Sequence, residues 1–453
     1  MPKKHSRIFI FFLFFFLALS AFLFAFSAKN HITPEKVFDA GLPVIFIDTD
    51  NGRRIKSKTE YIKADFYIYE DYKSYQKKNG LTEKGKIRGR GNTTWTFRKK
   101  PYLAKFNSEK SVLGLPPARK WVLLSLMCDK SKIRNAYATK LAKTIWPGNL
   151  WQPDFRFVNL YLNGKFDGLY CIYEKVEQGA NRLALPKDSF LFVVNSRYSG
   201  ISMDDISSQE DFSSENPKSN EFDSANFGPT KTGKQKNDNW GFRSEHGVPF
   251  SLKDNNVDEK TFLHERDILQ NIENQIYLED NSKVFDYIDK ESFVDWYILQ
   301  EFSKNRDSRF LASCFMFFNS KTGKLYMGPN WDFDIAFGGS HMDNNFSPED
   351  PWINQFHWYK ELWRNNEFKA AVKERWNETK GELKSSFQYI YQESEKLDQS
   401  AFLDDIIWRT IGHKQWPLTP GYKSRKTYKA EVDYVYNWCE KRFEWMDSYI
   451  SQL

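Results

Sequence analysis

Along this chain strand-like alternation of apolar residues predominates before a polar break, and helical spacing predominates after it. Runs of strands followed by runs of helices point to an α+β architecture. Before the break, the run from Leu42 is rich in β-branched residues and meets a turn signal at Asp50-Asn51-Gly52. Residues 61–70 alternate in the same way, 99–106 read as a strand, and 121–127 read as a buried strand or the start of a helix. Residues 84–95 read as a loop. Residues 131–146 carry helical spacing ended by Pro147-Gly148, and 155–177 form two aromatic-rich strands around Asn163-Gly164, a hairpin. Residues 202–239 are Ser, Asp, Asn and Lys with few apolar positions, too polar to offset their ordering entropy, and are expected to form a flexible insertion. After them come helical patterns over 258–304, a strand pair ending in 324–339, and an amphipathic helix over 427–450. The expected fold class is α+β in two lobes, with a β-rich N-terminal half, a helix-rich C-terminal half and a ligand cleft between.

Residues 8–28 stand apart. Only Ser20 and Ser27 are polar in a run that holds nine phenylalanines. At about 1.5 Å per residue it matches the thickness of bilayer hydrocarbon. Lys3, Lys4 and Arg7 precede it, which places the N-terminus in the cytoplasm and exports the chain beyond Lys29. Ala25-Phe26-Ser27 fits a cleavage site, whereas the length of the run fits an uncleaved anchor, so residues 1–29 read as a signal peptide or a membrane anchor. Membrane contact is expected through this segment alone.

The net charge of +7 is mild, and three of the charges precede the apolar run, so nucleic acid is not an expected partner. Cys128, Cys171, Cys314 and Cys439 are widely spaced, without a CxxC pair. That spacing argues against structural zinc and for three or four buried free thiols.

Three constellations carry chemistry. Residues 84–110 hold nine Lys or Arg and one acid, Glu109. Within them Arg88-Gly89-Arg90-Gly91-Asn92 combines guanidinium forks with glycines that let backbone approach a ligand, and Lys105 would be fixed on a strand. A solvated basic hairpin explains the same residues. Trp331-Asp332-Phe333-Asp334 places two carboxylates at i and i+2, read as pointing the same way from an extended segment. Bracketed by aromatics, they call for a cation, and Mg²⁺ takes one or two carboxylates plus substrate phosphates. Aspartates capping a following helix are the competing explanation. Lys304-Asn305-Arg306-Asp307 follows a helical segment and offers a catalytic base with an Asn beside it, although helix C-cap chemistry explains it equally. The order basic loop, Asn/Asp, metal aspartates is that of protein kinases, yet the GxGxxG, HRD and DFG motifs of a standard kinase are missing.

RGRGNTTW, KKPYLAKF, WVLL, DKSKIRNAYA, YLNGKFDGLYCIYEKVE, KNRD and GPNWDFDIAFG succeed one another from 88 to 338. In that order they resemble the spore coat protein H (CotH) kinase family, and the stretches 42–61 and 439–447 resemble its flanks. The resemblance covers 42–450 apart from 202–239. It implies an atypical protein-kinase-like fold, ATP with Mg²⁺ or Mn²⁺ as cofactor, and phosphorylation of Ser in a protein substrate that is exported or at the cell surface. By position it implies metal binding by Asp332, Asp334 and Asn305, and catalysis by Asp307 and Asp332. Arg88, Arg90, Lys105, Glu174 and Lys175 would address the nucleotide. Trp331 or Tyr170 would either stack on adenine or pack in the core. The alternative of a different class is an inactive kinase-like surface module that binds protein or glycan through exposed Tyr and Trp. A further alternative is another phosphoryl or nucleotidyl transferase on the same scaffold.

Overall fold

The computed structural model describes residues 32–195, 233–234, 240–253 and 257–453. The apolar run at 8–28 lies outside the described residues, as does most of the polar stretch 202–239. Among the described residues no helix is long and apolar enough to cross a membrane.

The alternating first half becomes a closed barrel. Its strands are β1 (Val44–Thr49), β2 (Ile62–Tyr69), β3 (Leu81–Gly89), β4 (Tyr102–Val112), β5 (Leu115–Leu124), β6 (Phe155–Leu162) and β7 (Lys165–Glu174). They pair in the order β1-β2-β3-β4-β5-β7-β6, and β6 closes the ring by running parallel to β1. Alternation sorts the side chains. Phe66, Ile87, Ala104, Phe106, Trp121, Leu123 and Tyr170 fill the interior, while Leu103 and Val122 face outward to the second core. Two helices sit within this half: α1 (Pro34–Phe38) before β1 and α2 (Tyr72–Lys77) after β2. A third, α3 (Arg134–Thr144), comes after β5 where helical spacing predicts it. The hairpin turns at Asn163-Gly164 as expected, both with positive φ. Residues 84–89, expected as a loop, belong to β3: 84–87 pair with Ile62 to Asp65 of β2, and 85–89 pair with the start of β4, glycines included.

A second sheet comes next, with β8 (Phe190–Asn195), β9 (Gly233–Lys234), β10 (Trp240–Arg243), β11 (Pro249–Leu252), β12 (Ala312–Asn319) and β13 (Lys324–Met327). It is six-stranded, in the order β13-β12-β8-β11-β10-β9. The helices are α4 (Glu259–Tyr277), α5 (Lys290–Ser303), α6 (His357–Leu362), α7 (Asn366–Ser386), α8 (Gln388–Trp408) and α9 (Tyr428–Ser451); α5 packs against β13, and α8 against β7 of the barrel. Helix α5 is buried on every side, from Ser292 to Ser303. The fold class is therefore α+β, β-rich first and helical second, with a closed seven-strand barrel that periodicity alone did not foresee.

Many of the large aromatic residues are core. Trp121, Trp146, Trp358, Trp376, Tyr137, Tyr170, Tyr297 and Tyr359 are all fully buried. The four cysteines are buried free thiols, as expected.

Candidate active site

A cleft of about 740 Å³ opens between the barrel and the second sheet. Its barrel wall is set by strand register. Leu103 lies opposite both Arg88 and Val122, and Lys105 lies opposite both Lys86 and Lys120. One face of β3-β4-β5 thus carries the row Arg88–Leu103–Val122 beside a row of three lysines. Like charges directly opposite one another destabilise a sheet, so such a row is retained at a cost. Phe315 of β12 faces the cleft from the other sheet, with Val176 and Trp331 completing the apolar lining. Neither backbone group of Val176 has a backbone partner among the described residues.

Among the described residues seven cationic side chains line this space, Lys58, Arg88, Arg90, Lys105, Lys120, Lys175 and Lys253, and no carboxylate does. Glu177, just outside, takes Lys120 at 2.7 Å and Lys175 at 2.9 Å on one oxygen. Those two lysines hold its carboxyl below the ordinary range even though burial pushes it up. Arg88 donates to the backbone oxygens of Lys58 and Gly89, with its guanidinium 5.2 Å from the Tyr61 ring centre. Arg90 lies 5.6 Å from the Trp331 ring centre. Burial pushes the Arg90 guanidinium down, while Asp332 and Asp334 push it back up, so it links the basic cleft to the acidic turn. The glycines around it have distinct reasons. A side chain at Gly89 would meet the Trp95 ring at 2.2 Å, and Gly91 has φ +85°.

The acidic end is built by α3, α5 and the segment after β13. Helix α5 ends on Lys304 in the left-handed region, φ 44°. That turn delivers Asn305, which is buried. Its amide nitrogen donates to the Asp332 backbone oxygen at 3.2 Å, and its amide oxygen accepts the Asp307 N–H at 3.3 Å. Asn305 therefore ties the two carboxylate-bearing segments together. Asp332 is not extended: its φ is +67°. The reading of 331–334 as a straight continuation of the strand is corrected, because β13 ends at Met327 and the chain turns. No helix comes after the aspartates for them to cap. Ser313 Oγ lies 3.4 Å from Asp332 Oδ2, and the N–H of Phe333, between the two aspartates, donates to Asn135 Oδ1 at 2.7 Å. Loss of solvent, then Asp332, then Asp307, drive the Asp334 carboxyl well above the usual carboxylate range. The buried Cys128 thiol beside it is pushed up too, first by burial and then by Asp334.

Two carboxylates, a hydroxyl and an amide oxygen form a donor set of hard oxygens. Among the described residues no group of three or more His, Cys, Asp or Glu could hold a metal ion. A cation here would thus rely on the two aspartates plus oxygens of another kind. The pressure on Asp334 is what a divalent cation would relieve.

Of the expected site residues, the structure brings Arg88, Arg90, Lys105 and Lys175 to the cleft, and gathers Asn305, Asp307, Asp332 and Asp334 at its acidic end. Glu174 is elsewhere. It ends β7, just before Lys175, and faces away from the cleft, where Arg182 holds it at 2.7 Å and it accepts the Asp154 N–H at 2.8 Å. Tyr170 is inside the barrel, bonded to Asp167 and the Lys100 oxygen. Sequence reasoning missed Glu177, Lys120 and Lys253. The Lys120–Glu177 contact joins residues 57 positions apart, which only the β5–β7 register reveals. Asn135 stood inside the DKSKIRNAYA motif without a role of its own.

The fold and site define an α+β protein whose basic cleft meets a turn of paired aspartates. A sequence-family profile described as CotH kinase protein matches residues 87–446, and the chain belongs to that family. No curated protein matches the chain.

Proposed function

We propose that this chain is a metal-dependent atypical protein kinase. It transfers the γ-phosphoryl group of ATP to Ser hydroxyls of exported or surface proteins. The observation that carries this reading is the union of a cleft whose charged lining residues, among those described, are all cationic with the Asn305–Asp307–Asp332–Asp334 group at one end. Positive charge meets the triphosphate, and the apolar slot between Leu103, Val122 and Phe315 suits a flat base. The free backbone groups of Val176 suit its polar edge. The barrel with its flanking strands acts as one lobe and the helical half as the other, within a kinase-like domain spanning 42–450. Residues 1–29 export or anchor it.

In this reading Arg88, Arg90, Lys105 and Lys175 bind phosphate oxygens, and Asp332 with Asp334 holds Mg²⁺ or Mn²⁺, with Asn305 bracing both segments. The metal, when bound, neutralises charge on the transferring group. Asp307 accepts the Ser hydroxyl proton as the Ser oxygen bonds to the γ-phosphorus and the β–γ bridging oxygen leaves with ADP. The inactive-module alternative is less favoured, since among the described residues no Tyr or Trp stands fully exposed for adhesion.

The test is mass spectrometry of envelope proteins incubated with ATP, Mn²⁺ or Mg²⁺ and residues 30–453. Phosphoserine that depends on both Asp307 and Asp332 is the expected result. Its absence for the wild type with every metal, alongside intact folding, overturns the reading.

A further inference from the structure

Lys253 comes directly after β11, and the phosphoryl-transfer scheme leaves it without a role. Its backbone N–H donates to the Leu191 oxygen at 2.8 Å, which fixes the root of the side chain on the second sheet. The side chain enters the cleft from that sheet, across from the lysine row of β3-β4-β5. Its ammonium sits 5.9 Å from the centre of the Phe315 ring. Among the described residues no carboxylate or carbonyl oxygen bonds it.

The charged groups that face it come from every neighbouring element: Lys175 past β7, Arg90 past β3, Lys120 of β5, and the carboxylate of Glu177. The first three repel it. The fourth is already shared by Lys120 and Lys175 on a single oxygen. A long lysine with a structural role extends its ammonium to water or to a counter-ion. This one is half-buried in a basic cleft, and among the described residues no counter-ion meets it.

We propose that Lys253 binds a phosphate group of the nucleotide from the second-sheet side, so that the ligand is clamped between the two walls of the cleft. The proposal rests on the nucleotide reading of the cleft. An anion arriving there would supply the missing partner for Lys253 and neutralise the lysines opposite. Burial first, then Lys175 and Arg90, push its ammonium down to about 7. A bound phosphate favours the charged form, so at pH 8 nucleotide binding takes up a proton at Lys253.

The experiment is calorimetric titration of residues 30–453 with ATP, adenosine and inorganic tripolyphosphate, without metal. It is run at pH 8 in two buffers of different ionisation enthalpy. For the wild type, ATP is expected to bind with net proton uptake. Lys253→Met should weaken ATP and tripolyphosphate by about ten- to a hundred-fold, leave adenosine unchanged and lose the uptake. Lys253→Arg should keep the affinity but lose the uptake, because arginine stays charged at pH 8. This second variant keeps the proposal open to failure should the methionine variant not fold. Wild-type affinity and proton uptake in either variant overturn it. If the wild type binds tripolyphosphate through Lys253 but not ATP, the nucleotide reading falls and the anion site stands. If it binds neither, both fall.

Discussion

Asn135 holds the turn between the two aspartates: its side-chain oxygen accepts the Phe333 backbone N–H at 2.7 Å. The neighbouring Arg134 donates to the Ala336 oxygen at 2.9 Å, so the start of α3 pins this turn at two points. The turn needs pinning. A non-glycine residue in the left-handed region stores on the order of 1–3 kcal/mol, and Asp332 has φ +67°. Asn135→Ala leaves a buried N–H without its acceptor, which costs about 1–3 kcal/mol. The expected outcome is a moderate fall in the urea midpoint together with a loss of phosphoryl transfer well beyond what the unfolded fraction explains. A rate that simply tracks the folded fraction would deny Asn135 a positioning role.

Asp332 separates stability from function. Asp332→Ala should abolish metal-dependent nucleotide binding while the protein remains folded, because the carboxylate is placed for a cation and not for the core. Asp332→Gly goes further. Glycine adopts positive φ without penalty, so this variant should melt no lower than the wild type while being equally inactive. Normal phosphorylation by either variant would remove Asp332 from the metal site.

The acidic turn predicts a pH dependence whose sign is the reverse of the usual one for a carboxylate. Asp334 is raised well above its ordinary 3.8 in the folded protein. The folded state therefore keeps a proton that the unfolded state releases. Its contribution is fully present below the unfolded pKa and is lost as pH rises from about 4 through the raised folded value. Metal-free protein should lose urea stability with rising pH in that window. Mn²⁺ should restore stability, increasingly so at higher pH, since the cation takes the place of the proton. Asp334→Asn should flatten the metal-free profile and abolish the Mn²⁺ gain. A wild-type profile indifferent to Mn²⁺ would contradict the metal assignment.

Much of this fold was legible because local period and turn chemistry agree with the tertiary answer. Asn163-Gly164, the α3 spacing and the α5 helix ahead of Asn305 are all local signals. The illegible part depends on register. That Lys105 lies opposite Lys120, or that Glu177 serves Lys120 and Lys175, comes from strand pairings that no window of sequence contains. Glu174 and Lys175 looked equivalent as neighbours, yet β7 ends between them, and only Lys175 reaches the cleft. The left-handed Asp332 was hidden for a related reason: tertiary bonds from Asn305 and Asn135 impose that conformation against local preference.

The barrel is fastened to the helical half by buried charge. Asp404 of α8 takes Lys99 at 2.5 Å and Lys132 at 3.1 Å and accepts the Leu169 N–H at 2.9 Å, all out of solvent. Gly168 makes the approach possible, since a side chain there would meet Asp404 Oδ1 at 2.2 Å. Burial pushes the Asp404 carboxyl up, but Lys132 and Lys99 more than offset it and keep it ionised. Asp404→Ala strands two buried lysines and is expected to cost about 3–5 kcal/mol, read as a drop in urea midpoint. A loss below about 1 kcal/mol, the range of exposed pairs, would mean that the cluster is hydrated in solution.

The lysine row links the apo protein to its ligand. Burial, then Lys86 and Lys120, press Lys105 below its ordinary value, so the free protein carries unrelieved repulsion at this position. Lys105→Ala removes it. The free protein should gain a few tenths of a kcal/mol, up to about 1 kcal/mol, from the lost like-charge pairs. The same change removes a cation facing the triphosphate, so ATP affinity should fall about ten-fold or more while adenosine, which has no phosphate, binds as before. The double change Arg88→Ala, Arg90→Ala should also weaken ATP over adenosine, but with a stability loss. Arg88 is bonded to the Lys58 and Gly89 oxygens, and those bonds go with it. A solvated basic hairpin predicts small and equal effects on the two ligands in every variant. Calorimetric titration of both ligands against the three proteins, with urea midpoints for each, separates the two descriptions. Equal losses for ATP and adenosine would leave the row without a phosphate to serve.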